Sequence, residues 1–276
     1  MPSQPDSATQ TASEIQCTAF APPAVKRGES FLVQLFAHLP DLASEANRMA
    51  RDFDDAAAQR GFSNLSETVR LGQVLRFDIR VNGGTGDLEA AQLRWTGRTD
   101  SVQFLVTAGT AETLTALFVR VTISLDSVPI GQIVFKVAVA AQAAAAAPAE
   151  PLASSETFRR YFISYATKDR SEVVKRVQML RLMGKEYRQD LFDLEPGVRF
   201  ERKLYEFIRE CDATLVFWSA NAKASEWVMR ECRYCIETKG IERLLPVIIE
   251  HPPPLPPPEL AELHMNDKLL YFIVKP

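Results

Sequence analysis

The chain has 276 residues, 46% hydrophobic and 24% charged, with 32 basic against 35 acidic side chains and a formal net charge of −3. That mixture suits a globular protein with room for two domains, and the near-balanced charge excludes the electrostatic footprint of a nucleic-acid or anionic-membrane binder. Four cysteines in so long a chain point to a reducing compartment, the polar opening MPSQPDSATQTASEI lacks the apolar stretch of a leader, and no uninterrupted apolar run is long enough to span a bilayer; a soluble, cytoplasmic protein is expected.

Residues 1–16 are expected to be a disordered tail. Residues 17–139 then read mostly as strands: FLVQLFAHL, QVLRFDIRV, AAQLRW, VQFLVTA, ALFVRVTISL and QIVFKVAV are short and mostly carry β-branched or aromatic residues. NGGTGD and DSVPIG are turn clusters. One helical candidate, PDLASEANRMARDFDDAAAQRG, sets Leu42, Ala46, Met49 and Phe53 at helical spacing, with Gly61 as a possible stop. The expected fold is an antiparallel β-sandwich with one inserted helix. His38 reads as a core or surface residue, and Asp52, Asp54 and Asp55 as a solvated helix face. This half offers no chemistry, and its trigger or partner is unknown.

AAQAAAAAPAEPLASSE, within residues 140–156, has the Ala/Pro-rich composition of a linker. Residues 157–276 then alternate strands and helices. RYFISYA, EYRQDLF, ATLVFWSA, RLLPVIIE and KLLYFIVK are strand candidates. DRSEVVKRVQMLRLMG, FERKLYEFIREC and SEWVMRECRYCIETKG have helical periodicity, the last with Ser225 as N-cap and Gly240 as its stop. Near-continuous apolar strands alternating with helices indicate an α/β domain with a parallel sheet covered on both faces, five-stranded by the count of candidates. Ligands of such sheets bind beyond the carboxyl ends of the strands, which directs attention to the loops after Ala166, Phe192, Ser219 and Glu250.

Three motifs stand there in order: YFISYATKD (Tyr161–Asp169), FDLEPGVRF (Phe192–Phe200) and CDATLVFWSANAKASEWVMRE (Cys211–Glu231). Together they resemble the bacterial type of TIR (Toll/interleukin-1 receptor) domain, from about residue 159 onward, which implies a flavodoxin-like α/β fold with a parallel five-stranded sheet. By that resemblance the second motif is the BB loop, with Glu195, Pro196 and Gly197 implied in assembly and Phe200 where the family often carries Trp. Some TIR domains cleave the nicotinamide–ribose bond of NAD+, and others are adaptors that associate with their own kind. In the cleaving members a glutamate on the helix after the third strand lies in the NAD pocket in a Ser-x-Trp-x-x-x-Glu setting. Ser225, Trp227 and Glu231 match it. The resemblance thus implies NAD+ as a substrate rather than a cofactor, with Glu231 catalytic and Ser164, Tyr165, Asp193, Phe200, Ser219 and Trp227 as candidate substrate contacts. It also implies self-association through the TIR domain, and a place in bacterial signalling or defence.

The chemistry suits a single carboxylate. Nicotinamide leaves as a neutral ring from a pyridinium, so the leaving group needs no acid, and the developing positive charge on the ribose is what needs stabilising. Each residue also has a plainer reading. Glu231 is equally a solvent-facing helix residue paired with Arg230, Arg233 or Lys223, Trp227 a core residue, and Asp193 and Glu195 ordinary turn residues. Cys232 and Cys235 are two small residues on one helical turn unless a helix start or a second pair makes them a redox or zinc site. HPPPLPPPEL reads as a stiff connection or a polyproline ligand. No metal-ligand cluster is recognisable.

Overall fold

The computed structural model describes residues 12–126, 128–140, 154–189 and 200–260. The chain divides into two compact units, Met1–Thr157 and Phe158–Pro276.

The first unit runs β1 (Ala12–Ala21), β2 (Ala24–Lys26), β3 (Ser30–His38), α1 (Ala43–Phe53), β4 (Ala58–Arg70), β5 (Val74–Asn82), β6 (Gly84–Gly86), β7 (Ala90–Arg94), β8 (Asp100–Ala108), β9 (Ala116–Leu125), β10 (Val128–Ala140) and β11 (Ser154–Thr157). They form two sheets, one in the order β4-β1-β3-β8-β6 and one in the order β11-β10-β9-β5-β7. Pairing is antiparallel throughout, apart from β2, which lies parallel to β10. Strict alternation explains the second sheet: Leu117, Val119, Val121 and Ile123 are wholly buried while the residues between them are polar or part-exposed.

Four boundaries differ from the sequence expectation. The first sheet already includes Ala12–Gln16, which were assigned to the tail. The inserted helix ends at Phe53, not near Gly61; Asp54 is extended, and the residues from Ala58 on pair with β1 as a strand. That strand hides in the sequence because Arg60, Gly61, Ser63 and Asn64 break any apolar alternation, whereas cross-strand pairing with β1 decides it. At the other end, β10 extends through Ala140, and Ser154–Thr157, expected in the linker, pairs with Val134–Gly131 of β10 and belongs to the first unit. Where β10 lacks a neighbour between β2 and β11, Arg60 donates from Nη2 to the carbonyl of Lys136 at 2.6 Å. His38 is buried: its Nδ1 donates to the carbonyl of Leu39 at 2.8 Å, so Nε2 accepts from the Thr18 hydroxyl at 2.8 Å.

The second unit runs β12 (Arg160–Ser164), α2 (Arg170–Leu182), β13 (Glu186–Gln189), α3 (Phe200–Glu210), β14 (Ala213–Trp218), α4 (Ala220–Ala224), α5 (Glu226–Lys239) and β15 (Leu244–Ile248). The described sheet has four strands, all parallel, in the order β13-β12-β14-β15. The expected fifth strand, KLLYFIVK, lies outside the described residues. β14 is buried at every residue, as a central parallel strand covered on both faces must be. On one face α3 and α5 close over the sheet around Phe162, Leu204, Ile208, Trp218 and Cys232.

Candidate functional site at the carboxyl ends of the strands

Ser164 is the last residue of β12 and is wholly buried. Ser225 caps α5, its side-chain oxygen accepting from the amide of Val228 at 3.3 Å. That cap sets the register of the helix, so Val228, Glu231, Cys232 and Cys235, at i, i+3, i+4 and i+7, form its inward stripe and are all buried. Glu231 is 0% exposed, which corrects the solvent-facing alternative: it points into the unit, and the Ser164 hydroxyl donates to its Oε2 at 2.5 Å. Trp227, one turn earlier, is half-buried and packs against the same apolar cluster. Tyr165 is buried directly after Ser164.

A second knot lies on the same side of the sheet. The Ser219 hydroxyl donates to Oδ2 of Asp169 at 2.5 Å and accepts from the amide of Ala222 at 3.0 Å, capping α4. Asn221 donates from Nδ2 to Oδ1 of Asp169 at 2.7 Å. The amide of Ala220 donates to Glu250 at 2.6 Å. One carboxylate after β12 and one after β15 thus hold the chain where β14 ends. Asp169 was missed as a site residue by sequence reasoning. The signal was an acid five residues beyond a strand-ending serine, which only the fold brings beside Ser219. Ser219, expected as a substrate contact, gives its hydrogen to Asp169.

Of the remaining expected residues, Asp193, Glu195, Pro196 and Gly197 lie outside the described residues, and Phe200 begins α3. Cys232 and Cys235 are buried mid-helix, where desolvation raises both thiols above their ordinary range and so suppresses the thiolate. Among the described residues no cluster of three or more His, Cys, Asp or Glu is arranged to hold a metal ion. The proline-rich segment is tied back to the unit: the Trp218 indole donates to the carbonyl of Pro254 at 2.7 Å, and Leu260 is buried in the apolar cluster. A small cavity of about 80 Å³ opens at the opposite, amino ends of β12 and β13, between Arg160, Glu186, Arg188 and Glu210. It does not adjoin Ser164 or Glu231. Among the described residues no helix is long and apolar enough to cross a membrane.

Residues 162–271 match the family model described as the TIR domain. Among solved structures, the crystal structure of the TIR domain of the Toll-related receptor TRR-2 from Hydra magnipapillata is similar at 21% identity and a TM-score of 0.32, over 39% of this chain and 82% of that one. No curated protein matches the chain. The chain thus carries a TIR domain over residues 162–271, and the match is confined to that segment.

Proposed function

We propose that the TIR segment cleaves the nicotinamide–ribose bond of NAD+ when the protein is assembled, with Glu231 as the catalytic carboxylate. The observation that carries this reading is the placement of Glu231 itself. A carboxylate taken wholly out of water, on the carboxyl side of a parallel sheet and held by a serine from the first strand, is costly for folding. Such groups are retained where charge is needed in a low-dielectric setting. Beneath the ribose, a carboxylate there stabilises the oxocarbenium-like charge that develops as neutral nicotinamide departs, and water or a ring atom of the substrate completes the transfer. Trp227 lowers the local dielectric and strengthens the interaction. Ser164 orients the carboxylate. NAD+ is consumed and is not a redox cofactor in this scheme. Asp193 and the loop with Glu195, Pro196 and Gly197 gate the site and support assembly, and the first unit senses the trigger.

The burial of Glu231 also favours a second reading. A carboxylate with no exposed surface reaches a substrate only after the site opens, so the same geometry suits a signalling adaptor in which Ser164–Glu231 is a buried polar tie and function lies in TIR–TIR association. The deciding experiment incubates purified full-length protein with NAD+ at low and high protein concentration and follows free nicotinamide. Turnover that rises steeply with concentration is expected for an assembly-dependent enzyme. Its absence at every concentration, with self-association intact, leaves the adaptor reading.

A further inference from the structure

The second sheet of the first unit places two arginines directly opposite each other: Arg80 of β5 faces Arg120 of β9. Their strand neighbours Ile79, Val119 and Val121 are buried in the interior, so both guanidinium groups lie on the other face of the sheet. Like charges directly across a ladder are destabilising. Arg76 binds both oxygens of Asp78 at 2.7–3.0 Å. Arg80 has the carboxylates of Asp78 and Glu89 near it, opposing the effects of burial and of Arg120, which together lower its guanidinium below the ordinary value. Arg120, directly opposite, has its Nε buried without a hydrogen-bond partner.

The next rung adds a third cation. Lys136 of β10 stands opposite Phe118 of β9, two residues from Arg120 on the same face, and its ammonium lies 4.8 Å from the ring centroid. Phe118 is 47% exposed. The face therefore carries two facing guanidinium groups, an ammonium diagonal to Arg120 and an accessible aromatic ring.

We infer that this face of the first unit is a binding site for a phosphate group, with Arg120 as its principal contact and Arg80 and Lys136 as flanking cations. A guanidinium fork offers paired donors that match a phosphate's oxygens, and a negative charge between Arg80 and Arg120 turns their mutual repulsion into two attractions. The exposed Phe118 ring provides an apolar flank for the remainder of a phosphate ester. All four residues belong to the first unit.

The test measures thermal stability of the full-length protein at constant ionic strength, exchanging chloride for inorganic phosphate, a nucleoside monophosphate, or the parent nucleoside. The wild-type melting temperature should rise with either phosphate-bearing compound and not with the nucleoside. A larger rise with the nucleotide identifies an ester as the ligand, and an equal rise identifies phosphate itself. Arg120→Gln should melt higher than wild type in chloride, because the repulsion is gone, and should bind phosphate at least tenfold more weakly, the scale of a lost charged hydrogen bond. Arg120→Lys keeps the charge without the fork and serves if the glutamine variant folds poorly; it too should weaken the response. Because Arg120 belongs to the first unit, loss of the response in its variants separates this site from any nucleotide binding by the TIR segment. A flat wild-type response, or the same response in the Arg120 variants, overturns the inference.

Discussion

Ser164 and Glu231, 67 residues apart in the chain, are joined by a hydrogen bond of 2.5 Å in the interior of the second unit. The bond ties the end of β12 to the inward stripe of α5, and so fixes where the one carboxylate of that stripe sits. Glu231→Gln keeps the size and leaves an oxygen to accept from Ser164, while removing a buried charge. NAD+ turnover should fall by about two orders of magnitude or more, the scale of losing one preorganised electrostatic group. Stability should be unchanged or higher, since discharging a buried site removes a desolvation cost. Glu226→Gln, on the exposed first turn of the same helix, is the control and should change neither. Equal losses in both variants would point to a general charge effect, to be seen in parallel nicotinamide-release and melting assays.

Ser164→Ala removes the donor and leaves Glu231 in the same apolar surroundings. Denaturant unfolding should show a loss of about 1–3 kcal/mol, the cost of taking a hydrogen bond from a buried group. In a Glu231→Gln background the cost of Ser164→Ala should be smaller than in the wild type, because the pair is coupled. An equal cost in both backgrounds would mean that the two side chains do not act together.

Asp169→Asn retains an acceptor oxygen for only one of the two donors, Ser219 and Asn221, that its carboxylate serves. A destabilisation of about 1–3 kcal/mol is expected. Ser219→Ala should cost about 1 kcal/mol as a lost helix cap, and its effect should not simply add to that of Asp169→Asn, because the two side chains share a hydrogen bond. Chemical denaturation of the three variants checks this.

The strand Ser154–Thr157 completes the edge of β10, so a fragment of residues 1–157 should be more stable than one of residues 1–140. Without the strand, backbone groups of Gly131–Val134 lose their partners. The difference should appear as a melting temperature lower by several degrees, at about 2–4 °C per kcal/mol for a unit of this size. Equal melting would make the strand an accessory.

All four cysteine thiols are buried, and desolvation raises each above its ordinary value of 9.0, Cys211 to about 12. Above pH 9 the unfolded chain releases these protons while the folded chain retains them. The unfolded state then binds fewer protons, and stability falls as pH rises. Cys17 lies in the first unit and the other three in the second, so the second unit should lose more stability between pH 9 and pH 11. Unfolding curves at stepped pH should show this, and Cys235→Ala should flatten the slope.

Much of the second unit was legible in the residues. The runs around Phe162 and Val216 are mostly apolar because parallel strands covered on both faces disfavour polar side chains, and Ser225 and Gly240 bound α5 because a cap needs a side-chain acceptor and a stop needs a positive φ. The motif order pointed to the TIR pattern and to Glu231 before any contact was known. What local pattern alone could not settle was burial and pairing. A glutamate at a helix position reads as solvated by default, and only the docking of α5 beside β12 puts Ser164 within reach and water out of it. Asp169 gains its partners from a segment 50 residues on. The strand Ala58–Arg70 and the facing arginines Arg80 and Arg120 exist only through ladder register. Local propensity reports a residue's own backbone preference, whereas register and burial come from free energies shared with groups far along the chain; that is why the tertiary structure decided them.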